Sequence, residues 1–174
     1  MKKILYLLIV LIAISCKEEV ATNHETITNT EITTYYLIRH AEKNRTDAEN
    51  KDPKLIAPGL LRAEHWASVF QKVPLNDIYV TQYMRVKQTA APTAVQKGLD
   101  VKEYSPNDLY NEEFQKATKG KTVLIVGHSD TTSLFVNAIL GKDQFPQMDD
   151  SDNASLYIVT VAGDTKKAQV LIIE

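Results

Sequence analysis

The residues best equipped for chemistry are two arginines and two histidines: Arg39, His40, Arg85 and His128. Thr33-Thr34-Tyr35-Tyr36-Leu37-Ile38 is an apolar, β-prone run that ends abruptly at Arg39-His40. Successive side chains of a strand point to opposite faces, so Arg39 and His40 share a pocket only if the strand stops there and the chain turns. The arrangement recurs where Thr122-Val123-Leu124-Ile125-Val126 runs into Gly127-His128-Ser129-Asp130. A single histidine at a strand end is most often structural, but two at matching ends are hard to explain by packing. Arg85 stands near the start of a helical stretch, where the macrodipole disfavours a cation unless an anion docks beside it. Guanidinium groups and histidines delivered to strand ends describe a local anion site, with phosphate the anion that fits.

The elements that must position these residues are legible in order. Thr33 to Arg39 reads as a first strand, and Glu42 to Lys54 as a polar loop. Pro58-Gly59 opens a helix whose Ala63, Trp66, Ala67 and Phe70 share one face, leaving His65 toward solvent and Arg62 as a surface charge. Asp77 to Thr81 is a short strand, and the stretch 82–94 is helical, closed by Gly98 and expected to kink or be interrupted at Pro92. Asp100 to Tyr104 is a further short strand. Ser105 is placed as the N-cap of a helix running to Thr118, with Pro106 at its first position. The run 122–126 lacks alternation, as expected of a strand buried on both faces. A helix follows to Leu140, with Ser129 able to cap it and Gly141 ending it. The chain closes with strands 154–161 and 168–173, joined through Gly163-Asp164. This order predicts a three-layer α/β/α sandwich around a mostly parallel sheet, whose ligand lies beyond the carboxyl ends of the strands.

Composition sets the bounds. The chain has 174 residues, 44% hydrophobic and 24% charged, with a net charge of −2. That suits one core-forming domain and gives no reason to expect nucleic-acid binding. The single cysteine, Cys16, excludes an intramolecular disulfide framework. Met1-Lys2-Lys3 and the apolar run Ile4 to Ile14 form a charged start and a hydrophobic segment of signal-peptide type. Ala13-Ile14-Ser15-Cys16 resembles a bacterial lipobox, although leucine is more usual where Ala13 stands. That resemblance implies cleavage before Cys16, lipid on Cys16 and a chain anchored to a membrane in the cell envelope. Lys17-Glu18-Glu19 also looks like the surface-export signal of Bacteroidetes lipoproteins. The expected organisation is a signal peptide over 1–15, a flexible tether over 16–32 that holds a solvated His24, and a folded domain over 33–174.

From Thr33 onward the chain resembles the histidine phosphatase superfamily, also called phosphoglycerate mutase-like. The resemblance rests on Arg39-His40-Ala41-Glu42, on Pro58-Gly59 and its helix, on Tyr79-Val80-Thr81 with Arg85 and Thr89-Ala90, and on Val126-Gly127-His128-Ser129. It implies the phosphoglycerate mutase-like fold and a phosphatase that needs neither cofactor nor metal. In such an enzyme neutral His40 attacks phosphorus and becomes a phosphohistidine, which water then hydrolyses. Arg39 and Arg85 hold the phosphate oxygens and His128 donates a further hydrogen bond. Such catalysis is mainly positioning and electrostatic stabilisation. For the acid that protonates the leaving group, Asp108, Asp130, Glu103 and Glu42 all stay open, with Asp108 slightly favoured and Glu42 read more as a structural partner. Asp149, Asp150 and Asp152 make an acidic loop, read as solvated rather than metal-binding. The expected partner is a phosphorylated small molecule or phosphoprotein, selected by the loops 43–57, 104–119 and 142–153. The alternatives are mutase-like phosphoryl transfer and a catalytically silent phosphate-binding module.

Overall fold

The computed structural model describes residues 31–174. Ten elements alternate as the sequence predicts: β1 (Ile32–Arg39), α1 (Ala57–Val69), β2 (Asp77–Val80), α2 (Met84–Lys97), β3 (Val101–Glu103), α3 (Glu112–Thr118), β4 (Thr122–Gly127), α4 (Thr131–Leu140), β5 (Ser155–Ala162) and β6 (Thr165–Ile172). They form one six-stranded sheet in the order β3-β2-β4-β1-β5-β6. The pairs β3–β2, β2–β4 and β4–β1 are parallel, while β5 and β6 join antiparallel. The carboxyl ends of β1, β2 and β4 therefore open on the same edge, with Arg39 directly opposite Gly127. The first histidine and the second are brought side by side by this register.

The unbroken apolar run of β4 has the two-faced burial expected of a central parallel strand. Val123 and Ile125 pack with Phe114, Phe135 and Ile139 under α3 and α4. Leu124 and Val126 pack with Trp66, Phe70, Val86 and Ala90 under α1 and α2. These two cores on opposite faces of the sheet make the three layers. Trp66 is 1% exposed, at the centre of the second core, and His65 is exposed as expected.

Four local expectations are corrected. α2 is continuous from Met84 to Lys97 across Pro92, so the missing amide does not interrupt it. Packing of α2 against α1 and the sheet outweighs one lost hydrogen bond. The third helix starts at Glu112, capped by Asn111 Oδ1 accepting from Phe114 N at 2.8 Å, not at Ser105. Tyr110, with φ 53°, breaks any helix through 109–111. Its ring packs edge-on against Tyr35 at 5.9 Å. α4 is capped by Asp130, whose carboxylate accepts from Thr131 N at 2.6 Å, so Ser129 is left to the site. Finally, β6 begins at Thr165 rather than Ala168, pairing Ala162 with Thr165 across a two-residue turn in which Gly163 has φ 57°. Lys166 and Lys167 disguise this segment as loop, but lysines are usual on an edge strand.

No described helix is long and apolar enough to cross a membrane. The signal segment, Cys16, His24 and most of the tether lie outside the described residues.

Candidate active site

β1 ends at Arg39, and the turn that follows is fixed from three sides. His40 N donates to Gly127 O at 2.9 Å. Asn153 Nδ2 donates to His40 O at 2.7 Å. Ala41 N donates to Thr89 Oγ1 at 2.9 Å, and Thr89 in turn donates to Arg85 O at 2.7 Å. One hydroxyl thus ties the turn after the first histidine to the first turn of α2, where Arg85 sits.

The His40 ring is buried, and its Nδ1 lies 2.8 Å from the carbonyl of Ala41. A carbonyl only accepts, so Nδ1 carries the proton and Nε2 keeps its lone pair. Burial, with Arg39, His128 and Arg85 close by, pushes the His40 pKa down to about 3. The imidazole is therefore neutral at pH 7, with its lone pair on Nε2.

His128 stands across the site, its ring centroid 5.4 Å from that of His40. Nε2 lies 2.9 Å from Thr81 Oγ1, and Nδ1 faces Arg85 Nη2 at 3.4 Å. Arginine only donates, so the neutral ring accepts at Nδ1 and donates from Nε2 to Thr81. Burial and Arg85 hold its pKa at about 4. The Tyr83 ring packs edge-on against His128 at 5.1 Å, and the Arg85 guanidinium lies over that ring at 4.4 Å. Asp52 accepts from Met84 N at 2.8 Å and stands 3.6 Å from Arg85 Nη1, so the loop before α1 helps seat both the helix start and its arginine.

His40, Lys43, Arg85, His128, Ser129 and Asp130 share the lining of one cavity of about 510 Å³. Arg39 does not line it. It is 1% exposed, and its Nη1 donates to the carbonyls of Asp150 at 2.6 Å and Asp152 at 3.1 Å, while Nη2 donates to Asp150 Oδ1 at 2.6 Å. The structure thus brings three of the four expected residues onto one cavity and turns the fourth toward the loop 149–153. In that loop the three aspartates have separate tasks. Asp149 Oδ1 accepts from Ser151 N at 2.7 Å, and Asp152 Oδ1 from Ala154 N at 3.0 Å. Asp150 bridges Arg39 and Arg45.

The proposed acids are dispersed. Glu42 Oε1 accepts from Arg62 Nε at 2.8 Å, so Arg62 is a partner of the turn rather than a plain surface charge. Glu103 pairs with Lys87 at 2.6 Å. Asp108 Oδ2 accepts from Asn111 Nδ2 at 2.8 Å and lines a separate cavity with Tyr79 and Tyr104. Of the four, Asp130 alone lines the cavity of His40 and His128. Sequence reasoning missed Lys43, Asn153 and Asp150 as residues of the site. The polar character of 43–46 and 149–153 was visible, but contacts across more than a hundred residues leave no local pattern.

A neutral histidine with a free ring nitrogen, a guanidinium and a second histidine around an open cavity form an arrangement chemically able to receive a phosphoryl group. The fold, a six-stranded mixed sheet with four helices, matches those of solved phosphoglycerate mutase-like structures. Residues 35–105 match the family described as the histidine phosphatase superfamily (branch 1), a stretch that holds His40 and Arg85. No curated protein sequence matches the chain. Among solved structures, the protein histidine phosphatase SixA complexed with tungstate is similar with a TM-score of 0.64 and 15% identity, covering 80% of this chain and 96% of that one. Phosphoglycerate mutase from Bacillus anthracis is similar with a TM-score of 0.62 and 13% identity, covering 82% of this chain and 93% of that one. A mycobacterial glucosyl-3-phosphoglycerate phosphatase follows at a TM-score of 0.57 and 13% identity, covering 82% and 98%.

Proposed function

We propose that this chain is a histidine phosphatase that hydrolyses a phosphomonoester or a phosphorylated protein through a phosphohistidine on His40. The observation that carries the reading is the Nδ1–H to Ala41 carbonyl bond at 2.8 Å, which leaves Nε2 unprotonated on a ring that lines the cavity. Nε2 attacks phosphorus in line, and the bond to the leaving oxygen or nitrogen breaks with its electron pair. Arg85 holds the equatorial oxygens. His128 takes a proton as the dianion arrives, because negative charge raises its affinity for one, and Nδ1 then donates to the phosphoryl group. Water attacks the phosphohistidine in the second step and returns His40 to its neutral form. Arg39 acts at one remove by holding the loop 149–153, which carries Asn153 to the backbone of His40.

Of the acids, Asp130 has access to the leaving group, although its carboxylate already caps α4. An acid so engaged favours substrates with good leaving groups, such as a phosphorylated histidine or an acyl phosphate. The similarity to a protein histidine phosphatase that binds tungstate, a tetrahedral oxyanion, supports the same substrate class. The test is turnover of p-nitrophenyl phosphate and of a phosphohistidine protein by the wild type and by His40→Ala. Activity that disappears in the variant supports the reading. Binding of phosphate without turnover on either substrate makes the chain a phosphate-binding module instead.

The proposal extends to location. The arrangement Met1-Lys2-Lys3, Ile4 to Ile14 and Cys16 supports a lipoprotein whose domain works in the cell envelope, tethered through lipid on Cys16. Labelled fatty acid should enter the wild-type chain in bacteria and be absent from Cys16→Ala; equal labelling of both sinks the idea.

A further inference from the structure

The two edges of the sheet are not alike. β3 closes one side with three residues, too short to template another strand. β6 closes the other with eight, and among the described residues no strand lies beyond it. Its second half, Val170-Leu171-Ile172, is apolar and 37%, 44% and 62% exposed. A long apolar edge of this kind pairs with another strand unless something guards it. The guard is Lys166-Lys167 at the start of the strand. Lys166 lies on the face of α3 and α4, its ammonium 5.4 Å from the centre of the Tyr110 ring, and Ala168 packs on the core of that same face.

The ladder decides which backbone groups are free. β6 pairs antiparallel with β5 in unbroken register from Ala162–Thr165 to Ser155–Ile172, and Ile173 N continues it by donating to Ala154 O at 2.9 Å. In an antiparallel ladder alternate residues turn both N–H and C=O toward the neighbouring strand. Ile173 turns inward, so Thr165, Lys167, Gln169 and Leu171 do as well, while Lys166, Ala168, Val170 and Ile172 turn theirs to the open edge. A strand can be added only where its outward groups meet outward groups. For a second copy related by a two-fold axis this leaves few registers. With the axis at Val170, Val170 faces its own copy, Ala168 faces Ile172 and Lys166 faces Glu174. Moving the axis back to Gln169 sets Asp164 against Glu174 and Lys166 against Ile172, and moving it forward to Leu171 sets Glu174 against Ala168. Of the three, the Val170 register alone matches apolar with apolar and lysine with glutamate, and symmetry repeats each match on the other side of the axis.

We propose that β6 is a self-association surface, through which two copies of this chain join antiparallel about a two-fold axis at Val170 into one continuous sheet, with Lys166 of each copy facing Glu174 of the other. The lysine that guards the edge against other strands thus becomes the group that selects this one. No residue of β6 lines the cavity of His40 and His128, so each copy keeps its own site open and the proposal stands apart from the phosphatase reading.

The test is sedimentation velocity of the full chain in mild detergent over a wide range of concentrations, for wild type, Lys166→Glu, Glu174→Lys and the double variant. The wild type should show a monomer–dimer equilibrium. Each single reversal places like charges opposite one another twice and should weaken association by about tenfold or more. The double variant restores opposite charges and should recover most of the loss. Glu174 is exposed and lies past the last ladder pair, so its reversal guards against a Lys166 variant that folds poorly. Amide exchange gives a second reading. The amides of Ala168, Val170 and Ile172 should be protected where the dimer forms and exchange freely on dilution, while those of Gln169 and Leu171 stay protected throughout. A wild type that is monomeric at every concentration overturns the proposal. So does a dimer that both single reversals leave intact, and so does protection of Val170 and Ile172 that dilution does not change, the mark of an edge covered by the chain's own residues.

Discussion

Lowering the pH from 7 to 5 should cost this domain stability through its two site histidines, and the size of the loss follows from their environment. In the folded chain burial holds His40 near pKa 3 and His128 near 4, so both stay neutral at pH 5. In the unfolded chain both approach the ordinary value of about 6.5 and take up protons. The unfolded state then binds more protons than the folded one, so stability falls as pH drops below about 6.5 and continues to fall until the folded values are reached. Each pH unit in that window is worth about 1.4 kcal/mol per group. From 6.5 to 5 the loss is therefore roughly 2 kcal/mol per histidine, or about 4 kcal/mol for the pair. A marginal domain of ~5–15 kcal/mol registers this clearly. Trp66, the only tryptophan and a buried one, reports urea unfolding by fluorescence. The wild type should lose about 4 kcal/mol more between pH 7 and 5 than a His40→Gln, His128→Gln double variant. The remaining histidines are common to both chains and cancel in the difference. Equal losses in the two chains, or an imidazole titration of His40 centred between pH 6 and 7, would refute the reasoning.

Three other predictions rest on separate parts of the structure. Arg85→Ala removes the guanidinium from the cavity and should lower kcat on p-nitrophenyl phosphate by about a hundredfold or more while His40 is still present; a loss under tenfold would detach Arg85 from the chemistry. Arg39→Ala leaves the carbonyl of Asp152 without its donor and that of Asp150 with Arg45 alone, and should cost roughly 2–3 kcal/mol in urea unfolding. Faster amide exchange should be confined first to 149–153, and unchanged exchange there would contradict the loop-holding role. Gly59→Ala places a methyl against the Glu42 carbonyl and should destabilise by about 1–3 kcal/mol, measured by thermal unfolding; a neutral effect would show that the turn and α1 are not in fixed contact.

Most of the architecture was legible because it rests on local physics. The two-faced burial of β4 was visible in Val123 to Val126, and the amphipathic face of α1 in Ala63, Trp66 and Phe70. The strand-end placement of His40 and His128 followed from where those runs stop, and parallel pairing with Arg39 opposite Gly127 made them neighbours. Elsewhere the sequence offered several solutions and packing chose among them. Ser105 and Asn111 are both good caps, and the left-handed backbone at Tyr110 selects Asn111. Ser129 and Asp130 compete for α4, and the carboxylate wins the first amide. Arg39 was the least readable residue. Its side chain is claimed by a loop 111 residues away, through two backbone carbonyls and one carboxylate that no motif announces. A similar distance hid Asn153.

The central claim is that His40 Nε2 becomes covalently phosphorylated. The most direct measurement mixes the protein with a 32P-labelled phosphoryl donor, quenches under conditions that preserve phosphohistidine, and maps the label by peptide mass spectrometry. The account predicts acid-labile, alkali-stable label on His40, absent from His40→Ala and accumulating more when hydrolysis is slowed. Turnover by a folded wild type with no label on His40, or undiminished turnover by His40→Ala, would contradict it.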